Sequence, residues 1–232
     1  MTSVVIVIPA CNEGPDFGAN LVRFADYFGP YRRSYDLSYV IVDDGSTDDT
    51  LRMSHHFARY RRNVTVISHD RRYGIGRSLH SAFLRLCAKY TIVIDGGATY
   101  PAAAAMELLE TLENTGADLA VASPYTQGAD RPQMPFARRI AARFTNRILS
   151  LLVRERCASF TCILRAFRTE FLKSLQFTCD GDEAVPELMI AAIRAGGHIV
   201  ELRTRLDWSM AASSAALAAH PQFVIPQEGL QP

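Results

Sequence analysis

The feature that most constrains this chain is a pattern repeated through its first half. Short β-branched runs alternate with stretches of helical periodicity, and a polar, acidic step follows several of the runs. Ser3–Pro9 (SVVIVIP) is apolar at nearly every position, the signature of a strand buried on both faces. A helix is expected over about Gly18–Phe28, a strand over Leu37–Val42, and a helix over Ser46–Arg59 with Ser46 or Thr47 as N-cap. Val64–Ser68 (strand), Arg77–Ala88 (helix), Thr91–Ile94 (strand), Pro101–Asn114 (helix) and Leu119–Ala122 (strand) continue the alternation. Strand–helix alternation of this kind implies an α/β fold on a mostly parallel central sheet flanked by helices.

The second half is less regular. Thr126–Pro135 reads as a loop, Phe136–Val153 as an amphipathic, arginine-rich helix, and Phe160–Phe167 as a strand. A helix over Glu183–Ala195 stops at Gly196–Gly197, before a strand over His198–Arg203. This divides the chain into one domain over 1–205, in two halves (1–97 and 98–205), followed by a tail over 206–232.

The 232 residues carry 25 basic and 24 acidic side chains. That balance argues against a nucleic-acid partner, which usually calls for a basic excess. No apolar run approaches the roughly 18–20 residues that cross a bilayer, and the opening residues do not read as a signal peptide. Five cysteines with no C-x-x-C pair suggest reduced thiols in a cytoplasmic protein, and the scattered histidines suggest no zinc site.

In an open parallel sheet, ligands bind beyond the carboxyl ends of the strands. Three runs end in polar steps there: Cys11-Asn12-Glu13, Asp43-Asp44-Gly45-Ser46 and Asp95-Gly96-Gly97. One aspartate in such a place serves as readily as a turn or helix cap, but three together make a polar edge suited to a ligand. Asp70–Gly76 (DRRYGIG) adds glycines ahead of a helix, where backbone N–H groups can meet an anion. The acidic residue of a dinucleotide fingerprint is missing, so a Rossmann oxidoreductase fits poorly. Residues 131–173 hold ten basic side chains against two acidic ones. They form either a solvated face or a set of arginines that converges on a diphosphate or an anionic surface.

These motifs, in order, resemble the inverting family 2 glycosyltransferases of GT-A fold, in particular the dolichol-phosphate mannose synthase type. The resemblance rests on VIVIPACNE, VDDGSTDDT, Gly74-Ile75-Gly76, Ala122-Ser123-Pro124-Tyr125, Arg143-Phe144-Thr145-Asn146, Leu164–Arg168, Glu187-Leu188 and Glu201. It implies a GDP- or UDP-sugar donor, transferred with inversion to an acceptor such as a polyprenyl phosphate or a small molecule. It further implies that Asp43 or Asp44 contacts the base, that Glu13 with the Pro9–Ala10 turn meets the nucleoside, and that Gly74 and Gly76 let backbone lie along the nucleotide. Asp95 and Gly96 fall at the family's D-x-D, where carboxylates hold Mg²⁺ or Mn²⁺.

Here that motif reads Asp95-Gly96-Gly97, so the second carboxylate is gone and metal affinity should be weakened. Arg143, Arg165 and Arg168 are then candidates to neutralise the diphosphate. Asp182 and Glu183, with Asp180 beside them, are candidates for the general base, although each could equally cap a helix. Two alternatives remain at this point: a nucleotide-sugar isomerase (pyranose–furanose mutase) on the same scaffold, and a non-catalytic nucleotide-sugar-binding relative. A membrane-peripheral location and homo-oligomerisation are both compatible with the sequence.

Overall fold

The computed structural model describes residues 1–123, 146 and 159–204. Apart from Asn146, the expected Phe136–Val153 helix lies outside the described residues, as do Pro124, Arg143 and the 206–232 tail.

The elements run β1 (Thr2–Ala10), α1 (Phe17–Phe28), a 3₁₀ turn (Gly29–Arg33), β2 (Tyr35–Asp43), α2 (Thr50–Arg59), β3 (Val64–Ser68), α3 (Ile75–Phe83), β4 (Tyr90–Val93) and α4 (Ala102–Thr115). They continue with β5 (Leu119–Ser123), β6 (Arg165–Arg168), α5 (Thr169–Ser174), α6 (Ala184–Arg194) and β7 (Ile199–Arg203). Seven strands form one sheet in the order β3-β2-β1-β4-β6-β5-β7. Every pairing is parallel except those of β6, which runs antiparallel to both β4 and β5.

β1 sits at the centre because it is the most continuously apolar run. Val4 through Ala10 are all buried, as a strand covered on both faces requires. Helix α1 packs against α2 and α4, and α3 packs against α6. α1 turns Phe17, Leu21, Phe24 and Phe28 inward at helical spacing. The edge strands β3 and β7 are only half-buried. Gly116 ends α4 in the left-handed conformation at φ +68°, its N–H donating to Leu112 O at 3.0 Å.

Three sequence expectations change. The 160–167 strand shortens to Arg165–Arg168 and reverses direction. α2 begins at Thr50 and not at Ser46, because other side chains hold the amides of Ser46, Thr47 and Asp48 in a turn. α3 covers 75–83 and not 77–88, since the chain must leave it to reach β4, where Lys89 N donates to Ser3 O at 3.1 Å.

Candidate functional site

β1 and β2 end side by side, with Ala10 paired to Asp43. β1 is also the point where the strand order divides, with β2 on one side and β4 on the other. A doubly wound sheet places its ligand crevice at such a switch.

The loops beyond these strands are locked to each other. Asn12 takes a left-handed φ of 51°, which asparagine tolerates better than most residues. Its side-chain oxygen accepts from Thr47 N at 2.8 Å and Asp48 N at 3.3 Å, while its own N–H donates to Ser46 Oγ at 3.0 Å. Glu13 N donates to Thr50 Oγ1 at 2.9 Å and Gly14 N to Asp48 Oδ2 at 3.0 Å. The asparagine of the first motif is thus the clamp that shapes the second. Pro9 and Ala10 are interior to the sheet, and the Ala10 carbonyl accepts from Asp44 N at 2.8 Å.

The two adjacent aspartates have different environments. Asp44 is saturated: Oδ1 meets His69 Nδ1 at 2.7 Å and Tyr73 N at 3.0 Å, and Oδ2 accepts from Gly74 N at 2.7 Å. An ionised carboxylate can only accept, so His69 Nδ1 carries the proton, and the other ring nitrogen lies 2.9 Å from Ser81 Oγ. Asp44 therefore clasps the 70–74 loop to the sheet. Asp43 is 1% exposed; its Oδ2 accepts from Ser46 N at 3.2 Å, while its Oδ1 is buried with no hydrogen-bond partner among the described residues.

Asp95 shows the same asymmetry. Its Oδ2 accepts from Thr99 N at 3.0 Å, and its Oδ1 is buried without a hydrogen-bond partner among the described residues. Burial pushes its carboxyl above the ordinary value, against the pull of the Thr99 hydrogen bonds. Gly96 is a close-approach glycine: a Cβ there would stand 2.8 Å from the Phe17 ring and 3.1 Å from the Glu13 carboxyl carbon. The buried Asn20 amide holds this turn by donating to Gly96 O at 3.3 Å. Glu13, Asp43, Asp95 and Gly96 thus lie on the strand ends around the switch point.

The glycines of the 74–76 loop have a different partner from the one expected. A Cβ on Gly74, at φ +117°, would meet Asp180 O at 2.5 Å, and one on Gly76 would meet Cys179 O at 2.1 Å. The first amides of α3 are already spent, with Gly76 N donating to Gly181 O at 3.3 Å and Arg77 N to Asp180 O at 3.0 Å. Carbonyls from the second half of the chain thus occupy Gly76 N and Arg77 N, so these two amides are not offered to an anion. Glu187 braces that second segment by accepting from Cys179 N at 2.9 Å and Thr178 N at 3.0 Å. Burial raises its carboxyl, but these backbone donors outweigh burial and hold it below the usual range. Asp182 and Glu183 sit at the start of α6, next to this joint, with Glu183 at the N-cap position.

The arginines expected at the diphosphate divide. Arg165 is 2% exposed and donates to Val185 O at 2.8 Å and Phe160 O at 2.6 Å, tying β6 to the start of α6. That is a structural role, imposed by two carbonyls that have turned inward. Arg168 pairs with Tyr90 at the beginning of β4, the end of the sheet opposite Asp95, so it is not placed at the site. Arg143 lies outside the described residues. Arg72, one of the pair in DRRYGIG, is close enough to the Cys11 thiol to oppose the rise to about 11 that burial causes. Sequence reasoning missed His69 and Asn20. His69 stands immediately after the third strand, the same edge position that singled out the other polar steps.

A divalent cation prefers several oxygen ligands. Among the described residues no group of three or more His, Cys, Asp or Glu side chains could hold one. Asp95 Oδ1 alone does not fit a metal held by the protein.

The sheet order, the acidic strand ends and the clamped turn define a GT-A glycosyltransferase scaffold. Glucosyl-3-phosphoglycerate synthase from Mycobacterium tuberculosis, solved with Mn²⁺, UDP and glucosyl-3-phosphoglycerate, shares this fold with a TM-score of 0.66 at 19% identity, over 88% of this chain and 71% of that one. Residues 5–176 match the glycosyl transferase family 2 profile, and the chain belongs to that family of enzymes. It is 25% identical to the undecaprenyl-phosphate 4-deoxy-4-formamido-L-arabinose transferase of Edwardsiella ictaluri, over 80% of this chain and 55% of that protein. It is 24% identical to the dolichol-phosphate mannosyltransferase of Pyrococcus furiosus, over 60% of this chain and 38% of that protein. The chain thus spans about half or less of the length of these two transferases.

Proposed function

We infer that this glycosyltransferase binds a GDP- or UDP-sugar at the β1 switch point and transfers the sugar, with inversion, to a polyprenyl phosphate or small hydroxylated acceptor. The observation that carries the reading is the pair of buried carboxylate oxygens, Asp43 Oδ1 and Asp95 Oδ1, left without hydrogen-bond partners among the described residues on strand ends flanking β1. Buried polar atoms are normally satisfied, and hydroxyl or N–H donors of a nucleotide would satisfy these. Asp43, not Asp44, is assigned the nucleoside contact, because Asp44 is already saturated by the 70–74 loop. Glu13 lies beside Gly96, where it can bear on the same ligand.

Inversion needs one displacement. The acceptor oxygen attacks the anomeric carbon from the face opposite the nucleoside diphosphate, which leaves as the new bond forms. Where the acceptor is a hydroxyl, Asp182 or Glu183 takes its proton as the new bond forms, whereas a phosphate acceptor attacks as the anion and needs no base. Arg72, at the rim near Cys11, is the described cation assigned to charge on the leaving diphosphate. Asp95 is the one carboxylate at the D-x-D position that would face a divalent ion brought with the diphosphate, and with no second carboxylate there such an ion would be weakly held. Acceptors on polyprenyl carriers would place the chain at a membrane periphery on the cytoplasmic side. Among the described residues no helix is long and apolar enough to cross a bilayer.

The test is a calorimetric titration of GDP and of UDP, each with and without Mn²⁺. Micromolar binding of one nucleotide that Asp43→Ala weakens is the expected result. Absence of binding under all four conditions overturns the reading.

A further inference from the structure

The groove between α1 and α2 belongs to none of the machinery above. It has a volume of about 680 Å³, within the size range of ligand sites. Its floor is apolar: Gly18 approaches Met53 so closely that its N–H points at the thioether sulfur, 3.3 Å away, and Phe57 is buried beneath. Val22 is 42% exposed on one wall and Tyr60 is 72% exposed at the far end.

The rim is cationic. Residues 50–63 contain four arginines and two histidines and no acidic residue, in a chain whose net charge is only +1. Of the guanidiniums lining the groove, Arg52 pairs with Asp49 at 2.8 Å. Arg61 instead lies 4.1 Å over the Phe57 ring and donates to Phe57 O at 3.0 Å. Arg23 donates to the neutral Asn20 side chain. Among the described residues neither Arg23 nor Arg61 has a carboxylate partner. Two cations with uncompensated charge therefore stand over an apolar trough edged by an exposed tyrosine.

We propose that this groove is a docking site for the phosphodiester headgroup of an anionic phospholipid, holding the α1–α2 face against a negatively charged bilayer. The chemistry selects that occupant. A phosphate carried on an apolar body uses both halves of the groove, whereas a soluble polyanion such as nucleic acid would leave Met53 and Val22 unused. Arginine stems can lie along the apolar walls with their heads at the headgroup level, and a tyrosine is suited to the same interface. The proposal does not depend on the donor assignment, since the groove residues it invokes are not those at the strand ends.

The experiment is co-sedimentation of the intact chain with vesicles of phosphatidylglycerol mixed into phosphatidylcholine, against vesicles of phosphatidylcholine alone, at low and high salt. Binding is expected only with the anionic lipid, weakening with salt. Each of Arg23→Gln and Arg61→Gln should lower the partition coefficient about fivefold, the effect of one basic residue near a charged surface. Tyr60→Ala should lower it as well, while all three variants keep the wild-type affinity for GDP or UDP and unfold within about 4 °C of the wild-type midpoint. Equal partition onto both kinds of vesicle overturns the proposal, as does a double arginine variant that partitions like wild type. Binding to heparin as tight as to the vesicles would assign the patch to soluble polyanions, and self-association abolished by the same variants would assign it to a second copy. Either outcome overturns the lipid assignment.

Discussion

Removing the Asp44 carboxylate should release the 70–74 loop. In the folded chain that carboxylate takes three donors, His69 Nδ1, Tyr73 N and Gly74 N, with the Asp44 and His69 side chains only 5% and 10% exposed. A hydrogen bond to a charged group contributes about 1.5–3 kcal/mol. Two of the donors are loop amides that water can recover once the loop lifts, and losing the carboxylate also removes its desolvation cost. A net loss of about 3 kcal/mol for Asp44→Ala is therefore expected, roughly 1 kcal/mol per donor. For a chain of this size about 2–4 °C of midpoint accompanies each kcal/mol, so the midpoint should fall by about 6–12 °C. Arg71 and Arg72 give a second readout, because trypsin can cut after them only when the loop fits its cleft. Differential scanning fluorimetry and timed trypsin digestion of wild type, Asp44→Ala and Asp43→Ala would separate the two aspartates. Asp44→Ala should be cut early in the loop and Asp43→Ala should not. A midpoint within about 1 °C of wild type with an unchanged tryptic pattern would refute the clasp.

Three further outcomes follow from the same geometry. Asp43→Ala should weaken binding of the preferred nucleotide at least about tenfold, near 1.4 kcal/mol, in calorimetry, with a smaller loss of thermal stability than Asp44→Ala, about 1 kcal/mol, because it removes one internal acceptor, the Oδ2 that takes Ser46 N. Arg165→Met should cost about 3 kcal/mol or more by stranding the Val185 and Phe160 carbonyls, read by denaturant unfolding, and should leave nucleotide affinity in the folded protein unchanged. An Arg165 that touched the diphosphate would show the reverse. Asp95→Asn should stabilise the fold in a pH-dependent way. The folded carboxyl lies above its ordinary value of 3.8 because burial disfavours the charge, so ionisation penalises folding as pH rises past 3.8 and not below it. Thermal midpoints should favour the variant near neutrality and converge with wild type in acid.

Much of the frame was legible because it depends on local chemistry. Continuous β-branched runs such as Val4–Ile8 can be satisfied only inside a sheet covered on both sides. The acidic steps after them had to fall at one edge once the strands ran parallel. The reversal of β6 was not legible: Arg165–Arg168 carries no mark of direction, which is set by the strands that accept it. The glycines at 74 and 76 were visible as glycines, but their reason lies about a hundred residues away, in the backbone of Cys179–Gly181.

The sequence by itself determined the α/β class, the family, and the residue types gathered at the ligand edge, because spacing and composition act within a few residues. Only the tertiary structure decided the work of each. It separated Asp43 from its neighbour Asp44, turned Arg165 from a charge at the site into a tie within the core, and set Arg168 at the opposite end of the sheet. Those distinctions depend on which donors and acceptors meet across the fold, and burial makes each unmatched group costly enough that the fold settles nearly all of them.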